Sequence, residues 1–264
     1  MELITGYQQD KIDLNEFFRE LSTAKRKELK YLIYRLGSSR CVFRDKFSDF
    51  NEDNIERFTL FQESSIYFSK ITGIPILPWV VVKNFFEGKE RLLCVAEFIE
   101  GKTIAEIQED KLLLLESPWV LEKIENIYIT LLAYIKCCFD SKVPFIPDMK
   151  VEQLLFTGEE LDPIFVDVDP LNTEPHPFYD TFPFIDTIPF QTYFTSIFAL
   201  FLNFEDGLDE EVLEKYPDFG KRIKQYLSEV APEIEWNRDC HKTKFGIANI
   251  IGARRKSQPS YFKA

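Results

Sequence analysis

The predicted elements change character at Gly101, and this change constrains the fold more than any other feature of the sequence. Before it, β-rich runs bounded by turn residues surround one segment of helical periodicity. The elements predicted there are strands at 30–36 and 40–47 joined as a hairpin, a helix capped by Asp53-Asn54 and ending at Lys70, and strands at 79–86 and 92–99. Residues 14–24 fit a helix or a strand equally well. The first half is therefore predicted to be mainly antiparallel sheet.

Beyond Gly101 the pattern is mainly helical, apart from one short hairpin. Ser117 followed by Pro118 is a typical helix start, and apolar residues then recur with a period of 3.6. The elements predicted there are helices from Thr103 to about 115, from Ser117 to Phe139, at 190–204 and at 209–230, with hairpin strands at 153–156 and 163–166. The sequence thus predicts an α+β fold, with a β-rich part at 1–100 and a mainly helical part at 101–264.

Composition excludes several classes of function. The formal net charge is −12, from 44 acidic and 32 basic residues, which disfavours binding to nucleic acid or to an anionic membrane. Five cysteines without paired spacing and two histidines argue against a zinc site or a disulfide framework, and for a reducing cytoplasm. The apolar runs are far shorter than the roughly 20 residues that cross a bilayer. We expect a soluble cytoplasmic protein with no membrane or nucleic-acid partner.

The segment Ile146-Pro147-Asp148-Met149-Lys150-Val151-Glu152-Gln153 resembles the catalytic loop of protein kinases, H-R-D-x-x-x-x-N. The resemblance implies that Asp148 is the catalytic aspartate, that Lys150 also acts in catalysis, and that Gln153 replaces the metal-binding asparagine. Past the short hairpin, Phe165-Val166-Asp167-Val168-Asp169 resembles the D-F-G element and implies a metal ligand at Asp167. The D-x-D form is also similar to small-molecule kinases of the aminoglycoside and choline type.

Two positions in the first half agree with this register. Arg44 lies where the family carries its phosphate-pairing lysine, and Glu63, 63 − 44 = 19 residues later, lies where the partner glutamate belongs. The strand that contains Glu97 and Ile99 is similar to the start of the kinase hinge, where backbone groups receive adenine. The resemblance covers about residues 25 to 205.

The resemblance implies a bilobal protein-kinase-like fold that binds ATP with Mg²⁺ or Mn²⁺ and, if active, transfers the γ-phosphate to a protein or small-molecule hydroxyl. Several marks of the family are changed: Ile146 and Pro147 replace His and Arg, and residues 20–30 contain no glycine where a glycine-rich flap belongs. These departures favour the alternative of a pseudokinase, a binding or regulatory module without turnover. An unrelated α+β adaptor is a third reading, if Arg44 and Glu63 lie far apart.

Each candidate residue also has a purely structural interpretation. Asp148, Asp167 and Asp169 are residue types that favour turns, and Arg44 with Glu63 could be an exposed ion pair of little value. His176 and His241 have no partners at metal-ligand spacing. The functional interpretation depends on one geometric prediction: Asp148 and Asp167, on either side of the short hairpin, must converge on one cleft.

Overall fold

A four-stranded antiparallel sheet and a two-stranded ribbon make up the strand content of the part of the chain that is described. The computed structural model describes residues 32–36, 39–49, 51–86, 89–141, 146, 150–167 and 190–237. The strands are β1 (Leu32–Leu36), β2 (Ser39–Asp49), β3 (Val80–Phe86), β4 (Lys89–Glu97), β5 (Leu154–Thr157) and β6 (Asp162–Phe165). The helices are α1 (Glu52–Thr72), α2 (Ile104–Glu109), α3 (Lys111–Glu116), α4 (Pro118–Ser141), α5 (Phe190–Asp206), α6 (Glu210–Lys215) and α7 (Lys221–Val230).

The four-stranded sheet has the order β1-β2-β4-β3, with every neighbouring pair antiparallel. Its two hairpins, β1-β2 and β3-β4, confirm the two predicted strand pairs. The hairpins meet at the β2-β4 pairing, whose register shifts between Asp45 and Asp49. Because α1 connects the hairpins, the order β, β, α, β, β predicted before Gly101 is confirmed. Residues 14–24, whose pattern fits both a helix and a strand, lie outside the described residues.

Helix α1 begins earlier than the sequence pattern predicts. Asn51, not Asp53-Asn54, is the N-cap, and its side chain accepts a hydrogen bond from the Asn54 amide at 2.9 Å. Gly73 ends the helix with φ of 72°, the left-handed conformation that favours glycine. The helix buries the side chains of Phe58, Phe61, Ser64, Ser65 and Phe68.

The long helix α4 is the centre of the second part of the chain. It starts at Pro118 as predicted, and it contacts α1, α5 and α7. Tyr128 and Tyr134 are almost fully buried on it. Edge-to-face aromatic contacts join Tyr134 to Phe68 of α1, at 5.0 Å between ring centroids, and Tyr128 to Phe201 of α5, at 5.3 Å. The core is therefore continuous from α1 through α4 to α5.

Two of the predicted helices are each divided in two. The helix predicted after Thr103 stops at Glu109 and restarts at Lys111, because the Asp110 side chain accepts the Leu113 amide and caps a new helix. The helix predicted at 209–230 is interrupted between Lys215 and Lys221. Pro217 disfavours helical backbone at the residue before it, and Gly220 adopts φ of 83°. The fold class, mixed helix and strand with small antiparallel sheets, is as predicted.

Candidate functional site

The ribbon formed by β5 and β6 brings two of the predicted site residues together. Gln153 immediately precedes β5, and Asp167 lies two residues beyond Phe165, the last residue of β6. Since Leu154 pairs with Phe165, both residues lie at the end of the ribbon away from its turn, which we name the open end. The Nε2 group of Gln153 donates a hydrogen bond to Oδ2 of Asp167 at 2.8 Å. Gln153 is buried and Asp167 is half-buried.

Residues 74–79, which connect α1 to β3, lie along the outer edge of β6. Ile76 forms a parallel bridge with Phe165. The Leu77 amide donates to the Phe165 carbonyl at 2.8 Å, and the Phe165 amide donates to the Pro75 carbonyl at 2.9 Å. The Trp79 indole Nε1 then donates to the Val166 carbonyl at 3.1 Å. This segment, which we name the strap, therefore holds β6 up to the residue before Asp167.

The connection from β4 to α2 holds the outer edge of β5 in the same way. Lys102 and Phe156 exchange two backbone hydrogen bonds, each at 2.9 Å. Gly101 lies so close to the ribbon that a Cβ atom there would be 2.9 Å from the Phe156 carbonyl oxygen. The connection from α1 to β3 and the connection from β4 to α2 are therefore both bonded to the ribbon that positions Gln153 and Asp167.

Aromatic packing fixes the ribbon from beneath. Phe165 is fully buried, with its ring centroid 5.5 Å from that of Phe68 and 6.4 Å from that of Phe61, both on α1. Phe68 in turn contacts Tyr134, whose hydroxyl accepts a hydrogen bond from the Ile146 amide at 3.2 Å. Burial raises the pKa of the Tyr134 hydroxyl well above its usual value, so this group is neutral at physiological pH. Ile146, which stands in the histidine position of the kinase motif, is buried.

The other predicted site residues are placed as follows. Arg44 lies on β2 opposite Cys94 of β4, but its side chain is outside the described part of the chain. Glu63 lies on α1 and is exposed, whereas its neighbours Ser64 and Ser65 face the buried side of the helix. Within the described ranges, no ion pair involving Glu63 is found. The Arg44–Glu63 pair implied by the resemblance stays a prediction.

Three further candidate site residues lie within the described ranges of the chain, and four others lie outside them. Lys150 is half-buried at the start of the short 3₁₀ turn Val151–Gln153. Glu97 is exposed at the end of β4, opposite Cys41, and Ile99 is half-buried and packs against the core. The residues outside the described ranges are Asp148, Asp169, His176 and His241. The predicted convergence of Asp148 with Asp167 is therefore not tested by the structure.

Trp79 and Tyr134 belong to this site, although the sequence pattern does not indicate it. The pattern predicts Trp79 only as the first residue of a strand, and Tyr134 only as part of the helix from Ser117 to Phe139. Their bonds span 87 and 12 residues along the chain. The available signal was residue type: a buried Trp or Tyr usually has a hydrogen-bond partner for its polar group.

The oxygen atoms at the open end suit hard divalent cations. A carboxylate and an amide carbonyl are both ligands that Mg²⁺ and Mn²⁺ accept. Among residues with described positions, no group of three or more His, Cys, Asp or Glu side chains is arranged to hold a metal. None of the helices among these residues has the length and apolar character needed to span a membrane. The described part of the site thus contains one carboxylate and one amide of suitable residue type, and the amide presents its nitrogen to Asp167.

Among known proteins, the chain has similarity to solved structures. No protein-family model matches the chain, and no curated protein matches its sequence. Crystal structures of the PknI kinase domain of Mycobacterium tuberculosis match it at low identity. A single mutant is 11% identical with a TM-score of 0.42, covering 86% of this chain and 96% of that one. A double mutant is 10% identical with a TM-score of 0.44, covering 86% and 95%. The domain itself is 9% identical with a TM-score of 0.43, covering 85% and 90%. These three matches each cover at least 85% of this chain, with TM-scores below 0.5.

Proposed function

We propose that this protein is a divergent kinase-like protein that binds ATP together with Mg²⁺ or Mn²⁺ at the open end of the ribbon. Residues 1–100 and 101–264 would form its two lobes. Cys137 and Cys138, which form no disulfide, suit a cytoplasmic location. The observation that carries the proposal is the proximity of the Gln153 and Asp167 side chains, whose Nε2 and Oδ2 atoms lie 2.8 Å apart. These two residues are 14 positions apart, and the kinase resemblance independently assigns them to one metal.

In this proposal, Asp167 and the amide oxygen of Gln153 hold the metal, and the nucleotide phosphates complete its coordination. Mg²⁺ is commonly held by one or two carboxylates together with substrate phosphates, so one carboxylate and one amide suffice. When bound, the metal neutralises charge that develops on the phosphate oxygens. If the protein is active, Asp148 orients the acceptor hydroxyl, with Lys150 beside it in the same loop.

The remaining candidate residues would bind the nucleotide itself. Arg44 would contact the phosphates, with Glu63 orienting it, and backbone groups at Glu97 and Ile99 would receive the adenine. Arg44 and Glu97 lie on the paired strands β2 and β4, where Arg44 is opposite Cys94 and Glu97 is opposite Cys41. The two residues therefore lie on neighbouring strands of one sheet, which supports a single nucleotide site with the phosphates at Arg44 and the adenine at Glu97.

Thermal melting with and without nucleotide tests this proposal. ATP with Mn²⁺ should raise the melting temperature, because a ligand that binds only the folded state stabilises it by about 2.7 kcal/mol at 100 times its Kd. Asp167→Asn should abolish the Mn²⁺-dependent part of the rise. Asp162→Asn is the matched control: it removes the same charge from the same ribbon, at the turn end, where Asp162 pairs with Lys123. It should keep the full rise.

Two results would count against the proposal. No change in melting temperature for the wild-type protein at millimolar ATP and Mn²⁺ would exclude nucleotide binding. Equal loss of the rise in Asp167→Asn and Asp162→Asn would show that the effect does not arise from the open end.

One observation favours the pseudokinase alternative, a module that binds nucleotide or a partner without turnover. The amide nitrogen of Gln153, not its oxygen, faces Asp167, so the carboxylate already accepts a hydrogen bond from a neutral donor. Metal binding by both residues would require the amide to rotate. Mass spectrometry of the protein and of a metabolite pool after incubation with ATP, with Asp148→Ala as control, separates the two functions. Phosphate that appears only with intact Asp148 identifies an enzyme, and its absence from both favours the module.

A further inference from the structure

Val166, the residue before Asp167, is held by a hydrogen bond at each of the two peptide groups that flank it. The Val166 amide donates to the Gln153 carbonyl at 3.0 Å, within the same ribbon. The Val166 carbonyl accepts from the Trp79 indole at 3.1 Å, from the strap. Of these two bonds, only the second comes from the half of the chain that precedes Gly101.

The bond from Trp79 fixes more than one carbonyl. A peptide unit is planar and includes the Cα atom of the following residue. A hydrogen bond to the Val166 carbonyl therefore restrains the peptide unit that also contains the Asp167 nitrogen and Cα. With the carboxylate held by Gln153 at 2.8 Å, Asp167 is restrained at both its backbone and its side chain.

The strap is a rigid origin for this bond. Trp79 is 8% exposed, and Ile74 and Leu77 beside it are each 4% exposed. The strap is also bonded to Phe165 through Pro75 and Leu77, so it cannot shift along β6 without breaking backbone hydrogen bonds. A donor on such a segment can set the position of an acceptor on its neighbour.

We infer that Trp79 is a positioning residue for Asp167, acting through the Val166 carbonyl. This inference rests on the proposed function for the identity of the ligand, which is a divalent metal with nucleotide. The restraint on Asp167 itself is independent of any ligand. Trp79 thereby links the strand that follows the strap, β3, to the metal position.

The test compares Trp79→Phe with Trp236→Phe. Both changes replace an indole that donates to a backbone carbonyl at 3.1 Å, Val166 in the first case and Ala231 in the second. Only the first is next to the open end. Should Trp79→Phe fail to fold, a protein that carries Trp119→Phe and Trp236→Phe, with benzothienylalanine in place of Trp79, removes the N–H donor and keeps the ring shape.

The first readout needs no ligand. The side-chain amide NMR signals of Gln153, identified by their loss in Gln153→Glu, report its hydrogen bond to Asp167. They should shift toward the position of a solvent-exposed glutamine amide in the protein lacking the Trp79 donor, and stay in place in Trp236→Phe. A purely structural role would lower the melting temperature of both variants and leave these signals unmoved, which would overturn the inference.

The second readout is the Mn²⁺ dependence of nucleotide binding. Loss of one restraining hydrogen bond should weaken the Mn²⁺-dependent component about three- to tenfold, with binding of metal-free nucleotide unchanged. Moved Gln153 signals in a protein that binds no nucleotide would leave the positioning role intact and refute the proposed function. An unchanged Mn²⁺ dependence in a protein that does bind would overturn the link from Trp79 to the metal.

Discussion

The two ends of the β5-β6 ribbon each hold an aspartate with a nitrogen donor, in different surroundings. At the turn end, Lys123 lies 2.7 Å from Asp162, whose side chain is 70% exposed. At the open end, Gln153 lies 2.8 Å from Asp167, and Gln153 is only 8% exposed. An exposed ion pair contributes little, whereas a polar group that is buried becomes costly when its partner is removed. The two pairs thus have similar distances but different energies, because burial makes the loss of a partner more costly at the open end than at the turn end.

The aromatic support beneath the open end should give the largest effect. Phe165→Ala removes a fully buried ring that packs on Phe61 and Phe68, and we expect it to lower the free energy of unfolding by about 3–5 kcal/mol. Urea denaturation followed by circular dichroism measures this change. Ile164→Ala, on the half-buried neighbouring residue of the same strand, should cost clearly less. Equal losses would show that the two faces of β6 contribute alike and would contradict the comparison.

Much of the fold could be predicted because its signals are local. The cap at Thr103 and the helix start at Pro118 depend on residues within one turn, and the hairpin register that places Gln153 beside Asp167 follows from a short turn. The interruption at Tyr216–Gly220 also had local signals, Pro217 and Gly220, which the helical periodicity outweighed. The bond from Trp79 to Val166 had none, because it depends on how the strap packs against β6. The kinase resemblance indicated the two polar residues and local rules predicted the hairpin between them, but neither predicted what restrains them.

Two glycines, one at the turn of the ribbon and one beside its β5 edge, should give stability losses of intermediate size when replaced by alanine. Gly158, at the turn, has φ of 66° and no atom within 4 Å of a Cβ position, so Gly158→Ala should cost about 1 kcal/mol from backbone strain alone. Beside the β5 edge, Gly101→Ala would place Cβ 2.9 Å from a backbone oxygen that cannot move freely. We expect a cost of about 2–3 kcal/mol, typical of overpacking.

Urea denaturation of the two glycine variants decides their order. If Gly158→Ala proves the more costly, backbone strain at the turn exceeds crowding at the β5 edge, and the connection through Gly101 is looser than its hydrogen bonds indicate. A third variant, Gly73→Ala, separates the causes further. Gly73 has φ of 72° and equally open space at its Cβ position, so Gly73→Ala should match Gly158→Ala.

The smallest expected effect concerns the ion pair between Lys102 and Asp110, on the β5 edge. The hydrogen bond from Lys102, followed by that from the Leu113 amide, holds the pKa of Asp110 below its usual value. A carboxyl group whose pKa is lower in the folded state stabilises the fold above its unfolded pKa, near 3.9, and this contribution is lost as the pH falls through the folded pKa. Asp110→Asn keeps the cap on Leu113, because Asn caps helices as well as Asp does, and removes only the charge.

We therefore expect Asp110→Asn to be less stable than wild type by under about 1 kcal/mol at pH 7, because both partners are more than a third exposed. The difference should vanish below the folded pKa and shrink in 1 M salt, which screens exposed charges. Denaturation midpoints measured from pH 2 to pH 7, at low and high salt, give both dependences. A difference that persists at pH 2 would assign the loss to the cap, not to the charge. The β5 edge would then be held by the backbone hydrogen bonds between Lys102 and Phe156, with no contribution from the Lys102–Asp110 ion pair. The contrast between exposed and buried polar pairs would then also apply to this edge.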